Sequence, residues 1–318
     1  MLGTADLVEA AGRRTTATRP PGLPVSLADH PYMTILGNKG DTRNPASGRT
    51  EAFPACAAAD ACRSPYQHDA AHQTFAYLPY LVTGDYYYLE ELQFWTMWNS
   101  FMSNPGYRNA YQGLLKSDQV RGQAWSLRTL AEAAYITPDG DPLKATFRHQ
   151  LDANLDWYNA NYTDQPDANR LGALSHGGAL VYDKNTALAP WMDDFFTAAV
   201  GHAAELGFAQ AKPLLAWKVV FPIARMRAPG ACWITGAQYS LKLRDSATAP
   251  LYTSMAQVWQ ASNTPALRAT ACASADMAAL LKLKTGEMSG YSSSNTGFPA
   301  NMQAALAYAA DAHGQGGG

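Results

Sequence analysis

Arg121, Trp125 and Arg128 place two guanidiniums around one indole. Their i, i+4, i+7 spacing puts all three on one face of a helix. Guanidinium forks clamp carboxylates, and an indole face can stack on a sugar ring. The plainer account pairs these arginines with Asp118, Glu132 or a neighbouring helix. His72 lies beside Gln73 and near Tyr77, where it could act as a base near neutral pH or simply cap a helix. Tyr86, Tyr87 and Tyr88 are consecutive, so at most one or two line a site, and Tyr87 is taken as the sugar-facing one. The segment LSHGGALVYD carries His176, Tyr182 and Asp183 on a long loop, a common setting for catalytic groups. The segment PWMDDFF brings Trp191, Asp193 and Asp194 into a first helical turn. There the helix dipole alone favours acidic residues. The sharper reading makes Asp194 a general acid or base, with Trp191 and Asp193 touching the sugar.

Other chemistry lacks its signatures. The sequence contains no G-x-G-x-x-G, Walker-type loop, G-x-S-x-G or H-E-x-x-H. His68, Asp69 and His72 have a spacing that could ligate a metal, but it is a weak pattern. No metal or other cofactor is expected.

The elements that must position these groups read as helices. The first is predicted from Ala70 to Val82, stopping at Gly84, and the second from an Asp85 N-cap to about Met102. A third runs from Ser117 or Asp118 to Ile136, and a fourth from Pro142 to Tyr162. A turn-rich break follows. Further helices are expected from Pro190 to Gly207, Gln210 to Met226, Leu251 to Ala261, Pro265 to Leu283 and Pro299 to Ala312. Residues 228–245 read as irregular or strand-containing. Residues 1–68 are rich in Pro, Gly, Ala and Asp. They are expected to form an extended lead-in with one short strand from Tyr32 to Leu36. The helical domain is then 69–313, followed by a flexible tail, 314–318. Helices so rich in Tyr, Trp, His and Arg are expected at the rim of a cleft more than in an apolar core.

The bulk composition agrees with a globular chain. Hydrophobic residues make up 47% of the 318 and charged residues 16%, which suits a buried core and not a disordered chain. A net charge of −2 leaves no basic surplus for a nucleic-acid backbone, so nucleic acid is not an expected partner. No apolar run reaches the ~18 residues of a membrane span. Cys56 and Cys62 lie close enough for a local disulfide, while Cys232 and Cys272 read as buried free thiols or a second bridge. A disulfide, or a targeting segment upstream, would point to a periplasmic or extracellular location.

The segments AYLPYLVTGDYYYLEELQFW, QVRGQAWSLRTLAEAAYITPD and PWMDDFFTAAVGHAAELGF resemble helical hairpins of the α/α-toroid carbohydrate-active enzymes. Those include toroid polysaccharide lyases and six-hairpin glycosidases. The resemblance implies a mainly α fold, an incomplete or reduced toroid, and a polysaccharide or oligosaccharide substrate. From the lyases it carries base and acid roles to His72 or His176 and to Tyr182 or Tyr87. It carries carboxylate neutralisation to Arg121 or Arg128. The leading expectation is therefore a lyase that cleaves a uronate-containing glycan by β-elimination. The alternatives are a glycoside hydrolase using Asp193 or Asp194 with Glu90, Glu91 or Asp183, and a glycan-binding module without catalysis.

Overall fold

The computed structural model describes residues 18–19, 23–34, 41–51, 74–116, 119–165 and 169–314. It is mainly helical, with 53% of these residues in helix and 4% in strand. The chain divides into two compact units, Met1–Trp157 and Tyr158–Gly318, a boundary inside the stretch read from sequence as one domain.

In the N-terminal unit, β1 (Thr18–Arg19) pairs antiparallel with β2 (Leu23–Pro24). The expected strand at Tyr32 is absent over residues 32–34, and the rest of that prediction lies outside the described residues. Instead the backbone there is tied down by Arg108, a fully buried side chain. Its guanidinium donates to the carbonyls of Pro31, Met33, Ser103 and Ala110. Burial lowers the Arg108 pKa to about 10, against the opposing pull of Asp41 and Glu51. One cation thus gathers carbonyls that water would otherwise have to satisfy.

Helix α1 (Tyr77–Thr83) ends where Gly84 adopts φ 66°, and helix α2 (Tyr86–Phe101) starts where Asp85 accepts the Tyr87 N–H. Both punctuation marks are the predicted ones. Helix α1 is shorter than predicted: 74–76 are not helical, and 70–73 are outside the described residues.

The expectation that the aromatic helices form a cleft rim is overturned for α2. From Tyr88 to Phe101 every residue except Glu90 is buried, as in a helix packed on all sides. Phe94, Trp95, Trp98 and Met102 form one apolar cluster. Two polar side-chain groups on this helix bond inward: Trp95 Nε1 donates to Glu91, and Gln93 donates to Asp141 at 2.8 Å. A short helix, α3 (Pro105–Arg108), leads towards α4 (Val120–Ile136), which packs on α2. Helix α5 (Lys144–Tyr158) follows, beginning later than Pro142 because Asp141 first accepts the Leu143 N–H in a turn.

In the C-terminal unit, α5 gives way to a π-helical turn, Asn159–Thr163, where one helix to Tyr162 was predicted. A long loop reaches β3 (Ala187–Leu188), and then α6 (Pro190–Glu205) begins with Pro190 in its first turn. The predicted helix Gln210–Met226 is two helices, α7 (Ala211–Lys218) and α8 (Val220–Arg227). Pro222 has no N–H to give the Lys218 carbonyl, so the ladder breaks at Val219. Strand β4 (Leu241–Lys242) pairs with β3, in register Ala187 to Lys242. Helices α9 (Met255–Ser262), α10 (Pro265–Arg268) and α11 (Ala275–Leu281) follow. The last two stand in place of one predicted helix, and Cys272, between them, is bridged to Cys232. This is the second-bridge alternative, and Cys56 and Cys62 lie outside the described residues. Helix α12 (Phe298–Gly314) packs along α6, where Gly201 leaves room for the Tyr308 ring. No helix among the described residues is long and apolar enough to cross a membrane.

Candidate functional site

The richest set of predicted groups lies on the loop between Asn169 and Ala187. Its first half is pinned from below by buried polar side chains. Lys218, fully buried on α7, donates to the Gly172 carbonyl at 2.7 Å and to Asp193. Asp193 in turn accepts the Leu174 N–H at 3.1 Å. Asn169 donates to the Ala173 carbonyl at 2.7 Å, and Trp217 Nε1 donates to the Asn169 carbonyl. At Gly172 the backbone has φ 70°, and a Cβ would stand 2.7 Å from the Trp217 carbonyl oxygen. Only glycine fits so close a crossing.

Tyr162 completes the anchor. The π turn buries its ring, which stacks on Trp217 at 4.6 Å, and its hydroxyl accepts the N–H groups of Ser175 (3.1 Å) and His176 (3.0 Å). Burial raises the Tyr162 pKa to about 12, so the phenol stays protonated. His176 is exposed, while its ring sits edge-on to Tyr162 at 5.0 Å. That partial desolvation lowers the His176 pKa from the ordinary histidine value. The result is an exposed imidazole biased towards its neutral form, on a backbone held by two hydrogen bonds, a suitable state for a general base.

The second half of the loop is a tight turn. Asp183, Lys184 and Asn185 have φ of 45°, 57° and 65°, one turn of left-handed backbone closed by the Thr186 N–H on the Tyr182 carbonyl at 3.0 Å. Asn and Asp tolerate this region; lysine does so at a cost of roughly 1–2 kcal/mol. Thr186 Oγ1 donates to the Asp183 carbonyl at 2.8 Å, and Arg244 forks onto the Asn185 carbonyl at 2.7 and 3.0 Å. Tyr182, partly exposed at the base of this turn, meets Tyr239 edge-on at 5.4 Å.

The other predicted residues have different settings. Asp193 and Asp194 are both buried, Asp193 paired with Lys218 and Asp194 with Arg225. Burial pushes the Asp194 carboxyl up while Arg225 pulls it back. Neither carboxylate reaches the surface, so the structure gives them the work of bracing the loop and α8 instead of meeting a sugar chain. Trp191 stacks on Phe298 at 5.7 Å. In the N-terminal unit, Arg121 lies over the Trp125 ring at 5.2 Å. Arg128 is engaged as the plainer account held: it donates to the Thr74 carbonyl at 3.0 Å and lies 3.5 Å from Glu132. Tyr87 packs edge-on to Tyr88. His72, with His68 and Asp69, lies outside the described residues. Among the described residues no group of three His, Cys, Asp or Glu side chains could hold a metal ion.

Tyr162, Lys218, Arg225 and Arg244 escaped the sequence reading. A tyrosine inside a helical segment and isolated basic residues carry no local mark of their partners. No protein-family model, curated protein or solved structure matches this chain.

Proposed function

We propose that the protein is a polysaccharide lyase that cleaves a uronate-containing glycan by β-elimination, built on a reduced α/α toroid of helical hairpins. His176 takes the proton from the carbon bearing the carboxylate. Tyr182 gives a proton to the departing glycosidic oxygen as the C–O bond breaks and the double bond forms. Arg244, held on the Asn185 carbonyl three residues past Tyr182, takes in this proposal the carboxylate-neutralising role that the resemblance gave to Arg121 or Arg128.

The observation that carries this reading is the state of His176: exposed, backbone-anchored through Tyr162, and shifted towards its neutral form. β-Elimination needs one base and one acid but no attacking water, which suits a loop bearing His176 and Tyr182. The glycosidase alternative needs two accessible carboxylates, and burial of Asp193 and Asp194 weighs against it. The hairpin reading is supported by α1 leading into α2 and by α4 packed on α2. Arg121 with Trp125 is retained as a proposed sugar contact of the N-terminal unit considered alone.

The test is the ultraviolet absorbance of unsaturated product during incubation with a panel of acidic glycans. The wild type should generate the chromophore on at least one of them. His176→Ala should lower the rate by about 10²–10⁴-fold while retaining the wild-type melting curve. New reducing ends without the chromophore would replace this reading with hydrolysis.

A further inference from the structure

The C-terminal unit carries a group of rings that packing alone does not explain. Tyr182 meets Tyr239 (5.4 Å), Tyr239 meets Phe298 (5.9 Å), and Tyr291 meets Phe298 (5.7 Å). Behind them Trp191 stacks on Phe298 with planes 9° apart. Yet Tyr239 is 53% exposed and Tyr291 74% exposed. Clustered exposed rings mark recognition surfaces more often than isolated ones do.

The backbone holds these rings out at a cost. Tyr291 has φ 63°, a region that bulky side chains avoid. Its loop is shut by the Phe298 N–H on the Gly290 carbonyl (2.9 Å) and the Gly297 N–H on the Ser294 carbonyl (3.0 Å). The Ser289 N–H reaches the Ile234 carbonyl at 2.7 Å, tying the loop to the segment that presents Tyr239. Gly290 and Gly297 permit this closure: a Cβ would lie 2.2 Å from the Ala237 carbonyl oxygen and 2.0 Å from that of Tyr291. The Cys232–Cys272 bridge anchors the same segment. Strain that a fold retains around an exposed ring is a signature of use.

The surrounding chemistry selects the ligand. From Gly286 to Phe298 there is no cation and a single carboxylate, Glu287, while Ser292, Ser293, Ser294, Asn295 and Thr296 crowd the loop. Ser292 donates to Glu287, and the Ser294 and Thr296 hydroxyls lie 3.0 Å apart. Rings set among uncharged hydroxyls fit the apolar faces and hydroxyl edges of sugar residues.

We propose that Tyr239, Tyr291 and Phe298 form a sugar-stacking platform, continuous with Tyr182, that holds a glycan chain by its ring faces. This rests on the carbohydrate reading above but not on the elimination chemistry. The test is calorimetric titration of full-length His176→Ala protein with alginate, polygalacturonate and a neutral β-glucan. Adding Tyr291→Ala or Tyr239→Ala should weaken binding roughly tenfold, and Tyr291→Phe should restore most of it. Unaltered binding in both alanine variants overturns the platform even where the wild type proves to be a lyase. Binding that depends on Tyr291 in a protein that cleaves nothing upholds the platform and rejects the lyase. Absence of glycan binding, with self-association lost in Tyr291→Ala, overturns it in favour of a contact between two copies.

Discussion

Two aromatic regions of this molecule do opposite things with the same side chains. On α2, Phe94, Trp95 and Trp98 are buried together, and Gln93 and the Trp95 Nε1 bond inward. In the C-terminal unit, Tyr239 and Tyr291 stand exposed on glycine-closed loops, with only part of each ring packed. Aromatic content therefore says little about location. What separates the regions is whether the backbone can satisfy itself while the rings turn outward. A helix surrounded on all sides offers no outward direction, and a loop closed by Gly290 and Gly297 does.

The contrast can be broken most sharply by deletion. Trp98→Ala should cost about 3–5 kcal/mol in urea unfolding. Tyr291→Ala should stay within about 0.5 kcal/mol of wild type, because an exposed ring at a strained position has little to lose. Comparable losses at both positions would erase the distinction. Asp193→Ala should be nearly as damaging as Trp98→Ala, by about 3–5 kcal/mol, since it strands Lys218 as a buried unpaired charge. A mild effect there would show that the carboxylate is not a brace. Activity lost in Asp193 or Asp194 variants must therefore be separated from lost folding before it is read as chemistry.

Smaller effects sharpen the loop itself. Tyr162→Phe removes the acceptor for two backbone N–H groups and should cost about 1–3 kcal/mol, measured by thermal melt, with a fall in rate. The acid limb of the rate profile should lie below the ordinary histidine value of about 6.5. The neutral base is lost only as pH falls through the lowered pKa of His176. A limb above that value would assign the base elsewhere. Lys184→Gly should leave stability unchanged or raise it by up to about 1 kcal/mol, because glycine accepts φ 57° without a Cβ clash.

The sequence made some of this legible and hid the rest for physical reasons. The Asp85 cap, the Gly84 stop and Pro190 at the start of α6 are local signals, and each falls where it was read. The break at Val219 was also local, written in Pro222, but the apolar pattern ran across it and masked it. His176 and Tyr182 were identifiable as loop residues, whereas their anchor was not. Tyr162 is 14 residues from His176, and Lys218 is 25 from Asp193, so those partnerships exist only once the chain has folded. The pairing of Arg128 with Glu132 was visible as an i, i+4 pair and proved to be the simpler reading. The platform at Tyr239 and Tyr291 left no periodic trace at all, because its residues are gathered from two loops.

Amide hydrogen exchange with and without an acidic oligosaccharide reports which of the two aromatic regions meets a ligand. Exchange should slow at Leu174–Thr186 and Ser289–Phe298, with Tyr88–Phe101 unchanged by ligand. Protection confined to the Arg121–Trp125 region of the N-terminal unit, with both C-terminal loops unaffected, would contradict it.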